Sequence, residues 1–158
     1  MTRILALDAS TVAAGWSLFD GGDYRASGVY VPHGSDWRER VKGIVYWLTD
    51  KVYTVGPDVL AYEIASGDRR NMATNRKLGA VEWACWSVAD HWDVRWLPVN
   101  AMQVKASGCH KEALPVAKDI AGRALDARHA GDEADAIGVG LAAVALLKIE
   151  NWKGEHTK

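Results

Sequence analysis

Two short apolar runs, each closed by an acid, constrain this chain most. Ile4-Leu5-Ala6-Leu7 ends at Asp8, and Val59-Leu60-Ala61-Tyr62 ends at Glu63. Each is too short for a helix and too uniformly apolar for a half-exposed strand, so both predict strands buried on two faces. An acid in such a strand is costly unless a partner or a metal compensates it. If the two strands lie side by side and parallel, Asp8 and Glu63 meet at one edge of the sheet, and the carboxyl edge is where sites form in α/β sheets.

The rest of the chain supplies the other layers. Residues 3–8 form the first strand, Ala14–Asp20 the second and Asp23–Val31 the third, with Gly21-Gly22 as the hairpin turn between them. The alternation of the third strand places Tyr24, Ala26, Gly28 and Tyr30 on one face. Trp37, Val41, Ile44, Val45, Leu48 and Val52 recur at helical spacing, and Gly56-Pro57 ends that helix. Val59–Ile64 is the fourth strand. A helix from about Asn75 to His91 follows, with Leu78, Val81, Cys85, Val88 and Trp92 on its buried face. Val94–Val99 is the fifth strand. A further helix starts near Leu114 or is kinked at Pro115, and a last one runs from about Asp132 to Lys148. Three hairpin-linked strands followed by helix–strand units predict an α/β fold: a five-stranded mixed sheet with helices on both faces.

At 158 residues, the chain has the length of one compact domain, taken as residues 1–158. No apolar run reaches the ~18 residues of a membrane span. The opening lacks the long apolar stretch of a signal peptide. Two cysteines, Cys85 and Cys109, without a CxxC pattern suit a reducing compartment, so a cytoplasmic location is expected. The 19 basic and 20 acidic residues give a net charge of −1, which excludes an indiscriminate polycation but not a nuclease with an acidic centre.

Asp132 and Asp135 add an i, i+3 pair on one helix face. Four converging carboxylates repel one another unless cations neutralise them, and hard divalent ions suit oxygen ligands, Mg²⁺ above all and Mn²⁺ also. Each acid alone has a plainer reading. Asp8 suits the start of a turn, Glu63 a buried acid with a local partner, and Asp132 a helix cap, with Glu133 and Asp135 complementing the dipole.

In order along the chain, these residues resemble the RuvC family of Holliday junction resolvases, within the ribonuclease H-like superfamily, in a compact form closer to phage members. Ile4-Leu5-Ala6-Leu7-Asp8-Ala9-Ser10 with Gly15-Trp16 resembles the family's first strand, catalytic acid and glycine turn. Ala61-Tyr62-Glu63 resembles its second acid, Lys77-Leu78-Gly79 a motif of its next helix, and Gln103-Val104-Lys105 with Lys111 its basic segment. Asp132-Glu133-Ala134-Asp135-Ala136-Ile137 is similar to its closing Asp-x-Ala-Asp-Ala motif. The family often carries an aromatic after the second acid. Here Ser66 stands near that place, and no aromatic occurs between Glu63 and Trp83.

The resemblance implies a Mg²⁺-dependent endonuclease that cuts four-way DNA junctions by paired symmetric nicks, using two ions about 4 Å apart. Asp8 is then the bridging ligand on the central strand. Glu63 and Asp135 hold the ions from either side, Asp132 is a fourth ligand, and Lys105 and Lys111 face the phosphate. Arg69, Arg70, Arg76, Lys77 and Lys118 join those lysines as candidate DNA contacts. Helical projection also places Gly79, Trp83 and Trp86 opposite the buried face of their helix, an aromatic patch expected to form a C2 homodimer interface unless the final helix or a loop covers it. A related nuclease acting on RNA or other branched DNA and a non-catalytic junction-binding protein are the alternatives. A two-lobed nucleotide-binding ATPase does not fit the length, and no GxxxxGK[ST] loop is present, so no nucleotide cofactor is expected.

Overall fold

The structure is a computed structural model, and it describes residues 1–64 and 71–156. Five strands, β1 (Arg3–Ala9), β2 (Ala14–Asp20), β3 (Asp23–Tyr30), β4 (Val59–Glu63) and β5 (Arg95–Val99), form one sheet in the order β3-β2-β1-β4-β5. β1 is central. It pairs antiparallel with β2 and parallel with β4, and β4 pairs parallel with β5. Helices α1 (Trp37–Val55) and α2 (Met72–His91) cover one face. Helices α3 (Ala101–Ala106), α4 (Leu114–Ala121) and α5 (Ala130–His156) cover the other. The mixed α/β sheet with helices on both faces is thus as the sequence predicts. Among the described residues no helix is long and apolar enough to cross a membrane.

Strand alternation divides the core in two. Leu5, Leu7 and Ala9 of β1 and Leu60 and Tyr62 of β4 meet Ile44, Leu48, Val81, Cys85 and Val88 from α1 and α2. Ile4 and Ala6, with Val59 and Ala61, face Ala134 and Ile137 of α5 instead. By the same parity, Asp8 and Glu63 point to the α5 side. The parallel register pairs Ala6 with Ala61 and Leu7 with Tyr62, so the next step along both strands brings Asp8 beside Glu63.

Local chemistry sets the boundaries. Gly21 and Gly22 have φ of 61° and 97°, which the two-residue β2–β3 hairpin requires. Asp36 caps α1 by accepting from the Arg38 and Glu39 N–H groups, and Gly56 ends it in the left-handed conformation. Pro115 lies in the first turn of α4, where its missing N–H costs nothing, so the helix starts at Leu114 and is not kinked.

Five expectations need correction, the first being the last helix, which starts at Ala130 and runs past Lys148 to His156. α2 begins at Met72, earlier than Asn75, because the Asn71 side chain caps the Thr74 N–H. α3 was not expected; Asn100 and Gln103 build it with a reciprocal capping box. Tyr24 and Tyr30 lie on opposite faces of the sheet, not one. The β2–β3 register steps from Leu18↔Ala26 to Phe19↔Tyr24, leaving Arg25 as the extra residue of a bulge that reverses the alternation. Trp92, placed on the buried face of α2, is 38% exposed. The helix ends at His91, Asp93 turns the chain with a φ of 53°, and the Trp92 ring lies against Tyr53 and His91.

Candidate active site

Asp8 belongs to β1, and the turn after it is built by Ser10, whose hydroxyl accepts from the Val12 N–H and donates to the Ala13 carbonyl. The acid is therefore free of the turn chemistry that its plainer reading required. Gly15 lies directly across the ladder from Asp8. A Cβ on Gly15 would sit 2.0 Å from the Asp132 carbonyl oxygen. The bare backbone of β2 thus lets the first turn of α5 press against the sheet beside Asp8. Asp132 lies inside that turn and is not its cap, since α5 starts at Ala130.

A second close approach brings in the basic loop. A Cβ on Gly138 would sit 2.0 Å from the Cys109 carbonyl oxygen. Cys109 is fully buried, and its thiol donates to the Ala134 carbonyl at 3.5 Å. Held this way, the loop presents the Lys111 N–H to Asp135 Oδ1 at 2.7 Å. Glu63, Asp135, Lys105, His110 and Lys111 line one cleft of about 270 Å³.

The electrostatics report how closely the acids are gathered. Burial, then Glu63, Asp135 and Asp132, push the Asp8 carboxyl up to about 8, against the opposing pull of Lys111. Burial and then Asp135 raise Glu63, again opposed by Lys111. Burial raises Asp135, and the Lys111 N–H bond is the largest of the influences that oppose it. Asp132 Oδ2 lies 3.1 Å from His129 Nδ1. Neighbouring strands are about 4.8 Å apart. Two full charges at about 5 Å repel by about 3 kcal/mol at an effective dielectric constant of about 20.

This donor set fits a hard divalent cation, because the four carboxylates are all oxygen donors and burial with mutual repulsion raises Asp8, Glu63 and Asp135. Among the described residues, no three His, Cys, Asp or Glu side chains form a ready-made cage for a metal ion.

The other candidates are distributed as follows. Arg76 and Lys77 are exposed near the start of α2, the helix that follows the carboxyl end of β4. Lys118 is exposed in the last turn of α4, where it complements the helix dipole and does not line the cleft. Arg69 and Arg70 lie outside the described residues, as does Ser66. Trp83 is 66% exposed, and its ring lies 4.8 Å from that of half-buried Trp86. Gly79 is exposed, and a Cβ there would meet nothing within 4 Å. With Glu82 and Trp96 they line an open pocket of about 320 Å³, and α5 lies on the opposite face of the sheet.

Sequence reasoning missed the acid between the two aspartates. Glu133 is 1% exposed and accepts from the Ser27 hydroxyl, the Arg123 guanidinium and the Asp126 N–H. Ser27 is remote in sequence, and Arg123 and Asp126 lie in the connection before α5, outside any helical spacing, so no local pattern marks it.

Neither a family model nor a curated protein sequence matches the chain. Solved structures do. *T. thermophilus* RuvC in complex with a Holliday junction substrate superposes with a TM-score of 0.79 at 19% identity, covering 95% of this chain and 97% of that one. A second *Thermus thermophilus* RuvC structure gives a TM-score of 0.73 at 19% identity, covering 94% and 97%. The yeast mitochondrial Holliday junction resolvase Ydc2 gives 0.60 at 11% identity, covering 98% and 84%. The chain therefore has the ribonuclease H-like fold of the RuvC resolvases, nearly end to end.

Proposed function

We propose that this chain is a metal-dependent, structure-selective DNA endonuclease that resolves four-way junctions by paired symmetric nicks. The observation that carries the reading is the meeting of acids: the parallel β1–β4 pairing sets Asp8 beside Glu63, and the start of α5, pressed against Gly15, brings Asp132 and Asp135 towards them with Lys111 tied to Asp135. Burial and the neighbouring acids raise the Asp8 carboxyl to about 8, and a bound cation would relieve that repulsion. The fold shared with a RuvC that was solved on a Holliday junction substrate supports branched DNA as the substrate class.

Asp8, Glu63 and Asp135 would hold the Mg²⁺ or Mn²⁺ ions, with Asp132 as a fourth ligand. When bound, such ions activate water and neutralise charge on the leaving oxygen. Lys111, tied through its backbone to Asp135, and Lys105 across the cleft would orient the scissile phosphate and stabilise its added charge. Arg76 and Lys77 extend the positive surface along α2 for the DNA backbone. Arg69 and Arg70 precede α2 in the sequence and are candidates for the same role. The exposed Gly79–Trp83–Trp86 face would pair two copies about a two-fold axis, matching the symmetry of two opposed cuts.

Labelled four-way junction, linear duplex and RNA–DNA hybrid, each with Mg²⁺ or EDTA, test the reading. Nicking confined to the junction and lost in EDTA is expected. Cutting of the hybrid alone would move the activity to RNA, and junction binding without cutting would make the protein a binding module.

A further inference from the structure

We infer that Arg123 and Glu133 are positioning residues for the carboxylate centre, fixing the first turn of α5 so that Asp132 and Asp135 reach Asp8 and Glu63. The inference rests on the metal-dependent reading above. Glu133 stands between the two aspartates in sequence but points away from them, into a fully satisfied polar clasp. Its Oε1 accepts from the Ser27 hydroxyl at 2.6 Å and from Arg123 Nη2, and its Oε2 accepts from the Asp126 N–H at 2.7 Å. The same Arg123 nitrogen also donates to the Ser27 carbonyl at 2.6 Å, so one guanidinium joins α5 to edge strand β3.

The clasp continues toward the site. Asp126 Oδ1 accepts from the Arg128 and His129 N–H groups at 2.9 and 2.7 Å, and His129 Nδ1 lies 3.1 Å from Asp132 Oδ2. A chain of contacts therefore runs from Arg123, just after α4, to a candidate ligand. The Arg25 bulge is part of the same device. It turns Tyr24 to the α5 face, where its hydroxyl lies 2.8 Å from Ser27 Oγ. Burying a carboxylate here is tolerable only because its acceptor positions are filled by charged and neutral donors. A buried apolar residue would pack as well, but it would not fix the rotation of the helix start.

Manganese binding tests this without any nuclease assay. Free Mn²⁺ is followed by electron paramagnetic resonance as the ion is titrated into the full chain. Arg123→Gln, which leaves the buried Glu133 carboxylate without its charged partner, is expected to lower stability and, measured below its melting temperature, to weaken Mn²⁺ binding roughly 10-fold, the lower end of what loss of a ligand's own outer partner costs. Arg123→Lys, which keeps one charged donor, should fall between it and wild type. Arg95→Gln is the control, because it removes the Arg95–Glu150 pair on the same helix, remote from the clasp. Both Gln variants should lose some thermal stability, but only Arg123→Gln should lose affinity for the ion. Equal Mn²⁺ affinity in wild type, Arg123→Gln and Arg95→Gln overturns the inference and leaves the nuclease reading standing. Tight Mn²⁺ binding without junction cutting overturns the nuclease reading alone. A wild type that binds no Mn²⁺ overturns both.

Discussion

Replacing Gly15 by alanine puts a methyl group where the start of α5 now lies. The added Cβ would be 2.0 Å from the Asp132 carbonyl oxygen and 2.5 Å from its carbon. Both are backbone atoms, so no side-chain rotation relieves the clash. Restoring ordinary contact, which begins at 3.4 Å, moves the helix start by more than 1 Å. Overpacking of this kind costs about 1–3 kcal/mol. For a chain of this size that lowers the melting temperature by roughly 2–12 °C. The catalytic loss should be larger, since a displacement of about 1 Å at a reacting centre costs on the order of 100-fold. Single-turnover junction cleavage in Mg²⁺, measured well below the melting temperature, separates the two effects. Gly28→Ala is the matched control, because its Cβ would meet only the Trp16 ring at 3.1 Å on the opposite face of the sheet. It should lose stability and keep its cleavage rate. A Gly15→Ala protein that cuts at the wild-type rate would refute the argument that this glycine places Asp132.

Three further outcomes follow from the same geometry. In the metal-free protein the Asp8 carboxyl is raised to about 8 from an unfolded value near 3.8, so the folded state binds the extra proton between those values. Thermal stability should therefore fall as pH rises from about 4 to about 8, and saturating Mg²⁺ should abolish that fall; a flat profile without metal would contradict the raised value. Trp83→Ser with Trp86→Ser should convert a dimer to a monomer at micromolar concentration in analytical ultracentrifugation, and a wild type that is already monomeric removes the proposed interface. Gly138→Ala would drive a Cβ to 2.0 Å from the Cys109 carbonyl and displace the loop that carries Lys111, so cleavage should drop at least 10-fold with junction affinity retained; a wild-type rate would show that the loop's seat does not matter.

The sheet and the meeting of Asp8 with Glu63 were legible because both follow from a period of two. Ile4, Ala6 and Asp8 share a parity in β1, as do Val59, Ala61 and Glu63 in β4, so one parallel pairing sends both acids to the same side. The exposure of Trp83 was legible for a similar reason, since the 100° step of α2 separates it from Val81, Cys85 and Val88. What escaped depends on contacts between distant segments. The Arg25 bulge arises from pairing with β2, and nothing within Asp23–Tyr30 announces it. Glu133 takes its partners from β3 and from the connection between α4 and α5, so its sequence neighbours suggested only a dipole role. The short α3 did carry a readable signal, Asn100 followed three residues later by Gln103. The steric roles of Gly15 and Gly138 appear only once α5 and the Cys109 loop are in place.

The central claim is that Asp8 holds metal for phosphodiester hydrolysis at a branch point. An end-labelled four-way junction, incubated in Mg²⁺ with wild type or Asp8→Asn and resolved on both strand pairs, tests it most directly. The account predicts symmetric nicks by wild type, none by Asp8→Asn, and junction binding by the variant at least as tight as wild type, because one negative charge has been removed beside the phosphates. Nicks of undiminished rate from Asp8→Asn would contradict it.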